Sequence, residues 1–169
     1  DVHGVTVDRE VLESRQRDDA AALGEYRHFM QKEIHEQPRA VADMLEGRLS
    51  GDRVLGEIFG PRAPNVFDQT RAVQIIACGT SYHAGLVAKH WLEYVGMPCE
   101  VEVASEYRYR RHATRRGTLV VTISQSGETA DTLAALEEAK CQGIVGSLVI
   151  CNVPESSLVR ESDLMLMTH

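Results

Sequence analysis

The sequence predicts an α/β protein: a five-stranded parallel sheet with helices on both faces, preceded by a helical N-terminal segment. Three observations carry this. From Ala72 onward, β-branched apolar runs alternate with runs of strong helix formers. Two of the predicted strands end in hydroxyl-rich turns, Cys78-Gly-Thr-Ser81 and Ser124-Gln-Ser-Gly-Glu-Thr129, that open directly into helices. The residues before Ala72 show no such alternation and hold helical stretches instead.

Composition bounds the rest. The 169 residues suffice for one domain with a real core plus an appendage. Apolar content of 43% and charged content of 25% are those of an ordinary globular protein. A net charge of −7 argues against nucleic acid as a partner for the whole chain. No apolar run approaches the ~20 residues of a membrane span, and no secretory signal opens the sequence. The four cysteines, Cys78, Cys99, Cys141 and Cys151, lack metal-ligand or CxxC spacing and read as reduced core residues of a cytoplasmic protein.

Taken in order, Asp1–Glu10 looks like one edge of a β-hairpin without its partner, as if the chain began inside a larger one. Asp18 to Leu49 is helical in character. Pro38 is expected to end one helix near His35-Glu36 and start another at Arg39. Ser50 to Arg71, with Gly51, Gly60, Pro61 and Pro64, reads as a loop with a short turn near Leu55–Phe59. The first strand is expected over Val73–Cys78, followed by a helix from about Tyr82 to Tyr94. Ala84, Val87, Ala88, Trp91, Leu92 and Val95 would form its buried face. Further strands are expected at Cys99–Ala104, Thr118–Ile123, Ser147–Asn152 and Leu164–Met167. A helix should run from Ala130 to near Gly143, and a short one should follow Ser156 or Ser157. No helix follows the last strand, so the C-terminus also reads as a cut.

The chemistry concentrates in the two turns. A strand, a hydroxyl-rich turn and a helix bring backbone N–H groups, side-chain hydroxyls and the positive end of a helix dipole to one spot, which suits a phosphate. Helix capping alone explains one hydroxyl. The second turn offers Ser124, Ser126 and Thr129 plus the Gln125 amide, with Gly127 allowing close backbone approach. Two such strand ends facing each other across one sheet edge would suit a sugar phosphate. No GxGxxG or GxxxxGK[ST] supports a dinucleotide or nucleotide triphosphate. The basic run Tyr107–Arg116 could touch RNA, balance acidic neighbours or meet another subunit. His83 and His90 share a helix face with no third ligand, so neither metal nor cofactor is expected.

Four segments carry a resemblance: Cys78–Gly85, Ser124–Thr132, Ser147–Pro154 and Ser157–Asp163 resemble the glutamine–fructose-6-phosphate aminotransferase (isomerizing) family, the glucosamine-6-phosphate synthases. Tyr26–Pro38 is similar to that family's connector between glutaminase and isomerase domains. The resemblance implies a SIS (sugar isomerase) fold, a flavodoxin-like three-layer sandwich. Residues 1–17 would be the end of a glutaminase domain, 18–71 a helical connector and loop, and 72–169 a first SIS domain truncated at its C-terminus. It implies that Ser124, Gln125, Ser126 and Thr129 hold the phosphate of fructose 6-phosphate or glucosamine 6-phosphate. Cys78, Gly79, Thr80 and Ser81 would meet the sugar. The family's cysteine nucleophile, its Schiff-base lysine and its proton-moving Glu and His belong to the glutaminase and second SIS domains, neither of which is in this sequence. The chain would then be a catalytically incomplete half-site, paired as a homodimer in the family's manner. Rival readings are a stand-alone SIS isomerase, a non-catalytic SIS sugar-phosphate sensor and a truncated product that only packs against a partner.

Overall fold

The computed structural model describes residues 22–168; the strand expected in Asp1–Glu10 lies outside them. Contacts divide the chain into two units, residues 1–41 and 42–169. Within the described part of the first, α1 (Phe29–Leu45) is the main element. It does not break at Pro38, as the sequence suggested. Pro38 cannot donate to the carbonyl four residues back, but residues 33–43 are all solvent-exposed, so water can satisfy the freed acceptor. Lys32 is buried, its amine donating to the Ala22 carbonyl at 2.6 Å, and the rings of Tyr26 and His35 stack with centroids 5.5 Å apart.

The segment expected to be a loop is more ordered than that. β1 (Leu49–Ser50) and β2 (Arg53–Val54) pair antiparallel. A 3-10 turn follows at Gly56–Phe59, then α2 (Ala63–Gln69), with Pro64 in its first turn where the missing N–H costs nothing. Only Ala63 and Val66 of α2 are fully buried, so its period is too short to stand out in sequence.

The sheet is as expected: β3 (Ala72–Ala77), β4 (Cys99–Val103), β5 (Thr118–Ser124), β6 (Gly146–Cys151) and β7 (Leu164–Met167), all parallel, in the order β4-β3-β5-β6-β7. The helices are α3 (Gly79–Tyr94), α4 (Ala104–Tyr109), α5 (Ala130–Lys140) and α6 (Ser157–Glu161). Alternate residues of the central strands feed opposite faces. On one face Val73, Ile75, Leu119, Val121 and Leu148 pack with Ala63 and Val66 of α2 and with Ala88 and Leu92 of α3. On the other, Ile76, Val120 and Val149 meet Tyr107, Ala135, Leu136, Ala139 and Leu158 from α4, α5 and α6. Both faces being covered explains why these strands read as unbroken apolar runs.

Two expectations need correction. α3 begins at Gly79, three residues early, and its buried face is not the one expected. Ala88 and Leu92 turn inward, but Ala84 is exposed, and Val87, Trp91 and Val95 are 49%, 71% and 74% exposed. The inward position belongs to Gly85, where a Cβ would lie 2.9 Å from Ile75 Cγ2 and 3.1 Å from Val101 Cγ1. Close seating of the helix selects the small residue over the apolar one. Among the cysteines, all free, Cys141 is exposed and not a core residue; Cys99 and Cys151 are buried and Cys78 half-buried.

Candidate functional site

Numbered among themselves in chain order, the five sheet strands run second, first, third, fourth, fifth. The order reverses between β3 and β5, whose ends pair as Ala77 with Ile123. α3 leaves β3 on one face of the sheet and α5 leaves β5 on the other. The two hydroxyl turns therefore sit side by side at a topological switch point on the carboxyl edge, where open α/β sheets bind ligands. The eight residues picked from sequence are brought together in this way, four on each strand end.

The turn after β5 is built as a rigid cradle. Ser124, 6% exposed, accepts the Gly127 N–H at 3.1 Å and lies 3.3 Å from the Thr129 hydroxyl. Ser126 Oγ accepts the Glu128 N–H at 3.2 Å. Ser124 is thus occupied inside the turn, whereas Gln125 and Ser126 face solvent and Thr129 is half-buried. Gly127 has φ +67°, and a Cβ there would fall 2.0 Å from Ser156 Oγ and 2.9 Å from Cys151 Sγ. Only glycine fits.

Residues that sequence reading missed hold this cradle in place. The loop after β6 donates to it from Asn152 N–H to the Gln125 carbonyl (3.4 Å), Ser157 N–H to the Glu128 carboxylate (2.7 Å) and Leu158 N–H to the Gly127 carbonyl (3.0 Å). The buried Cys151 thiol lies 3.6 Å from both the Gln125 carbonyl and Ser156 Oγ. The Ser157 backbone N–H, then its hydroxyl, hold the Glu128 carboxyl below the usual carboxylate range. The one charged residue of the turn is thereby engaged with α6. Ser156-Ser157 looked in sequence like an ordinary helix cap, and nothing in it signalled a brace for a turn some thirty residues upstream. Further down the same strands, Asp163 accepts the Ser147 N–H (2.9 Å) and hydroxyl (3.0 Å) and pairs with Arg62 at 2.5 Å. Burial pushes its carboxyl up, but these donors outweigh it and keep it low.

The turn after β3 is open by contrast. Gly79 and Thr80 are exposed, and Cys78 and Ser81 half-buried. No side chain caps α3 at Cys78 or α5 at Thr129. Both helices start with N–H groups that no cap has taken, in the field of their own dipoles. Asp131 in the first turn of α5 is paired with Arg108 at 3.0 Å, which offsets its negative charge. A cleft of about 760 Å³, bordered by Lys89, Cys99, Glu100, Arg110 and Thr114, contains none of the eight residues.

Part of the basic run balances acidic neighbours: Arg110 meets Glu102 at 2.7 Å and Arg115 lies 3.7 Å from Glu100, while the buried Tyr107 stacks on His112 with centroids 3.7 Å apart. Among the described residues no cluster of His, Cys, Asp and Glu has metal-binding geometry, and no helix is long and apolar enough to cross a membrane.

Fold and turns together define a class, the doubly wound α/β domain with two helix starts side by side at its switch point. Within that class, residues 67–169 match the SIS domain model, and the chain belongs to the SIS domain family. It is 61% identical over 170 residues to the glutamine–fructose-6-phosphate aminotransferase (isomerizing) of Pseudomonas aeruginosa. It is 53% identical to that of Vibrio parahaemolyticus. Each match covers 100% of this chain and 28% of the relative. The C-terminal domain of glucosamine-fructose-6-phosphate aminotransferase from Francisella tularensis superimposes with a TM-score of 0.83 at 51% identity, covering 87% of this chain and 42% of that one. Glucosamine-6-phosphate deaminase from Thermotoga maritima, at 21% identity and a TM-score of 0.53 over 79% of this chain and 40% of its own, shares the fold.

Proposed function

We propose that this chain is the first-SIS-domain part of a glutamine–fructose-6-phosphate aminotransferase and supplies the phosphate-holding half of its sugar site. The observation that carries this is the pair of uncapped helix starts at the switch point, one of them inside a cradle whose Gln125 and Ser126 are exposed. Ser126, Gln125, Thr129 and the first N–H groups of α5 hold the phosphate of fructose 6-phosphate, with Ser124 shaping the turn. Thr80, Ser81 and the backbone of Cys78 and Gly79 meet the sugar. Identity of 61% to a named aminotransferase supports the choice of hexose phosphate over other anions.

Ring-opened fructose 6-phosphate needs an amine to form an imine at C2 and a base to move a proton between C1 and C2. Neither turn carries an amine or an imidazole. The chain therefore binds and orients, and groups outside it do the chemistry. Cytoplasmic location and a homodimer belong to the same proposal.

Calorimetric titration of the chain with fructose 6-phosphate, using fructose and inorganic phosphate as controls, tests the reading. Weak binding of the phosphorylated sugar and none of fructose is expected. Ser126→Ala should weaken it by 1.5–3 kcal/mol, roughly tenfold or more, as for a hydrogen bond to a charged group. Equal affinity of parent and variant, or no binding by a chain with a native circular dichroism spectrum, overturns the assignment.

A further inference from the structure

The two turns assigned to the sugar phosphate carry no cation of their own. Residues 72–88 and 117–139 hold both turns, their strands and the first turns of their helices, and they contain no Lys or Arg. They do contain carboxylates, and two of these, Glu128 and Asp131, flank Thr129. Residues of a helix rise only about 1.5 Å each, so a phosphate at Thr129 would face both negative charges at short range. Any positive charge that answers them has to come from other elements.

The structure brings one arginine to each carboxylate. Glu128 is turned to α6, where the Ser157 N–H donates to it at 2.7 Å and Arg160 adds its attraction. Asp131 is met from α4 by Arg108, Nη1 to Oδ1 at 3.0 Å. α4 can reach it because β4 ends level with the two strands that carry the turns. Ala77 of β3 pairs with both Val103 and Ile123, and α4 starts at the next residue, Ala104. The Arg108 guanidinium also lies 5.0 Å from the centre of the Tyr109 ring, whose face attracts a cation.

We infer that Arg108 is a positioning residue of the phosphate turn: it cancels the charge of Asp131 and so leaves the start of α5 able to accept an anion. This rests on the assignment of that turn to the phosphate. Two features set the pair apart from an ordinary surface ion pair. Asp131 is the second residue of α5, so its carboxylate and a phosphate compete for the same helix dipole. Both partners are also partly solvated, 38% and 41% exposed, so the pair adds little to stability while its charge still bears on an anion nearby.

The test titrates fructose 6-phosphate and inorganic phosphate, at fixed pH and low salt, into the parent chain, Arg108→Gln, Asp131→Asn and the double variant. Arg108→Gln should weaken both ligands about fivefold, the effect in water of one unit charge on a dianion about 8 Å away. Asp131→Asn should tighten both by a similar factor, and the double variant should bind as the parent does. Arg108→Lys, which keeps the charge, should keep most of the affinity. These differences should fade as salt rises to about 1 M, where charges are screened beyond ~3 Å. The denaturation midpoint of Arg108→Gln should stay near the parent's. Arg108→Gln that binds as tightly as the parent overturns the inference. So does a double variant as weak as Arg108→Gln, which would put Arg108 on the ligand itself. Either result leaves the phosphate assignment standing, because the parent binds. A folded parent chain that binds neither ligand overturns that assignment and this inference with it.

Discussion

The turns after β3 and β5 sit on neighbouring strands, carry similar residues and start similar helices, yet they are built in opposite ways. The β5 turn is locked from inside by Ser124 and from outside by Asn152, Ser157 and Leu158. The β3 turn has no side-chain cap, two exposed residues, and around Gly79 no atom near enough to meet an added Cβ. On the assignment proposed above, the preformed cradle would suit a phosphate, which is the same in every hexose phosphate, and the open turn would suit the variable sugar end.

Glycine replacement should break this comparison most sharply. Gly127→Ala forces a Cβ into Ser156 at a positive φ and should cost about 3 kcal/mol or more by chemical denaturation. Gly79→Ala, also at positive φ (+55°) but in open space, should cost only about 1–2 kcal/mol. Equal losses would mean that the two turns are equally tight.

Asp163→Asn comes next. It removes a carboxylate that accepts two hydrogen bonds from Ser147 and should cost about 1–3 kcal/mol. The Arg62 pair adds little, because Arg62 is 62% exposed. The sign with pH follows from the lowered carboxyl. Its stabilisation is complete above the unfolded value of about 3.9 and fades as pH falls through the lower folded value, so parent and variant should converge in acid. A gap that persists in strong acid would place the effect in packing.

The smallest effect is expected for Glu128→Gln. The turn should keep its shape while the Ser157 amide exchanges hydrogen faster, since the acceptor facing it loses its charge. Acidification should do the same to the parent, because the contact belongs to the ionised carboxyl and is lost as pH falls through its depressed range.

Much of the fold was readable in advance. The β-branched runs placed all five strands to within a residue, α5 and β7 fell where composition put them, and the order of strands and helices required a parallel sheet. What escaped depends on contacts between distant parts of the chain. α2 buries two residues, too few to show a period, and Gly60, Pro61 and Pro64 disguise it as a loop. α3 has two apolar stripes; sequence favours the bulkier, whereas close packing on Ile75 and Val101 takes the one with Gly85. For the candidate site, residue types and strand ends could be read, but the division of labour within them could not. That Ser124 faces inward while Ser126 faces out, and that Ser157 steadies the whole turn, follows from a loop 23 or more residues away folding back.

The four thiols turn these differences in burial into a set of clocks. An alkylating reagent should find Cys141 at once. Cys99, 4% exposed and pushed by burial to a pKa of about 11, stays both covered and protonated. Cys151 is 1% exposed beneath the loop that steadies the turn after β5, so its labelling must wait for that loop to lift. Its reaction rate counts the excursions of the cradle from its closed form. A ligand seated in the cradle would slow that count without touching the sulfur.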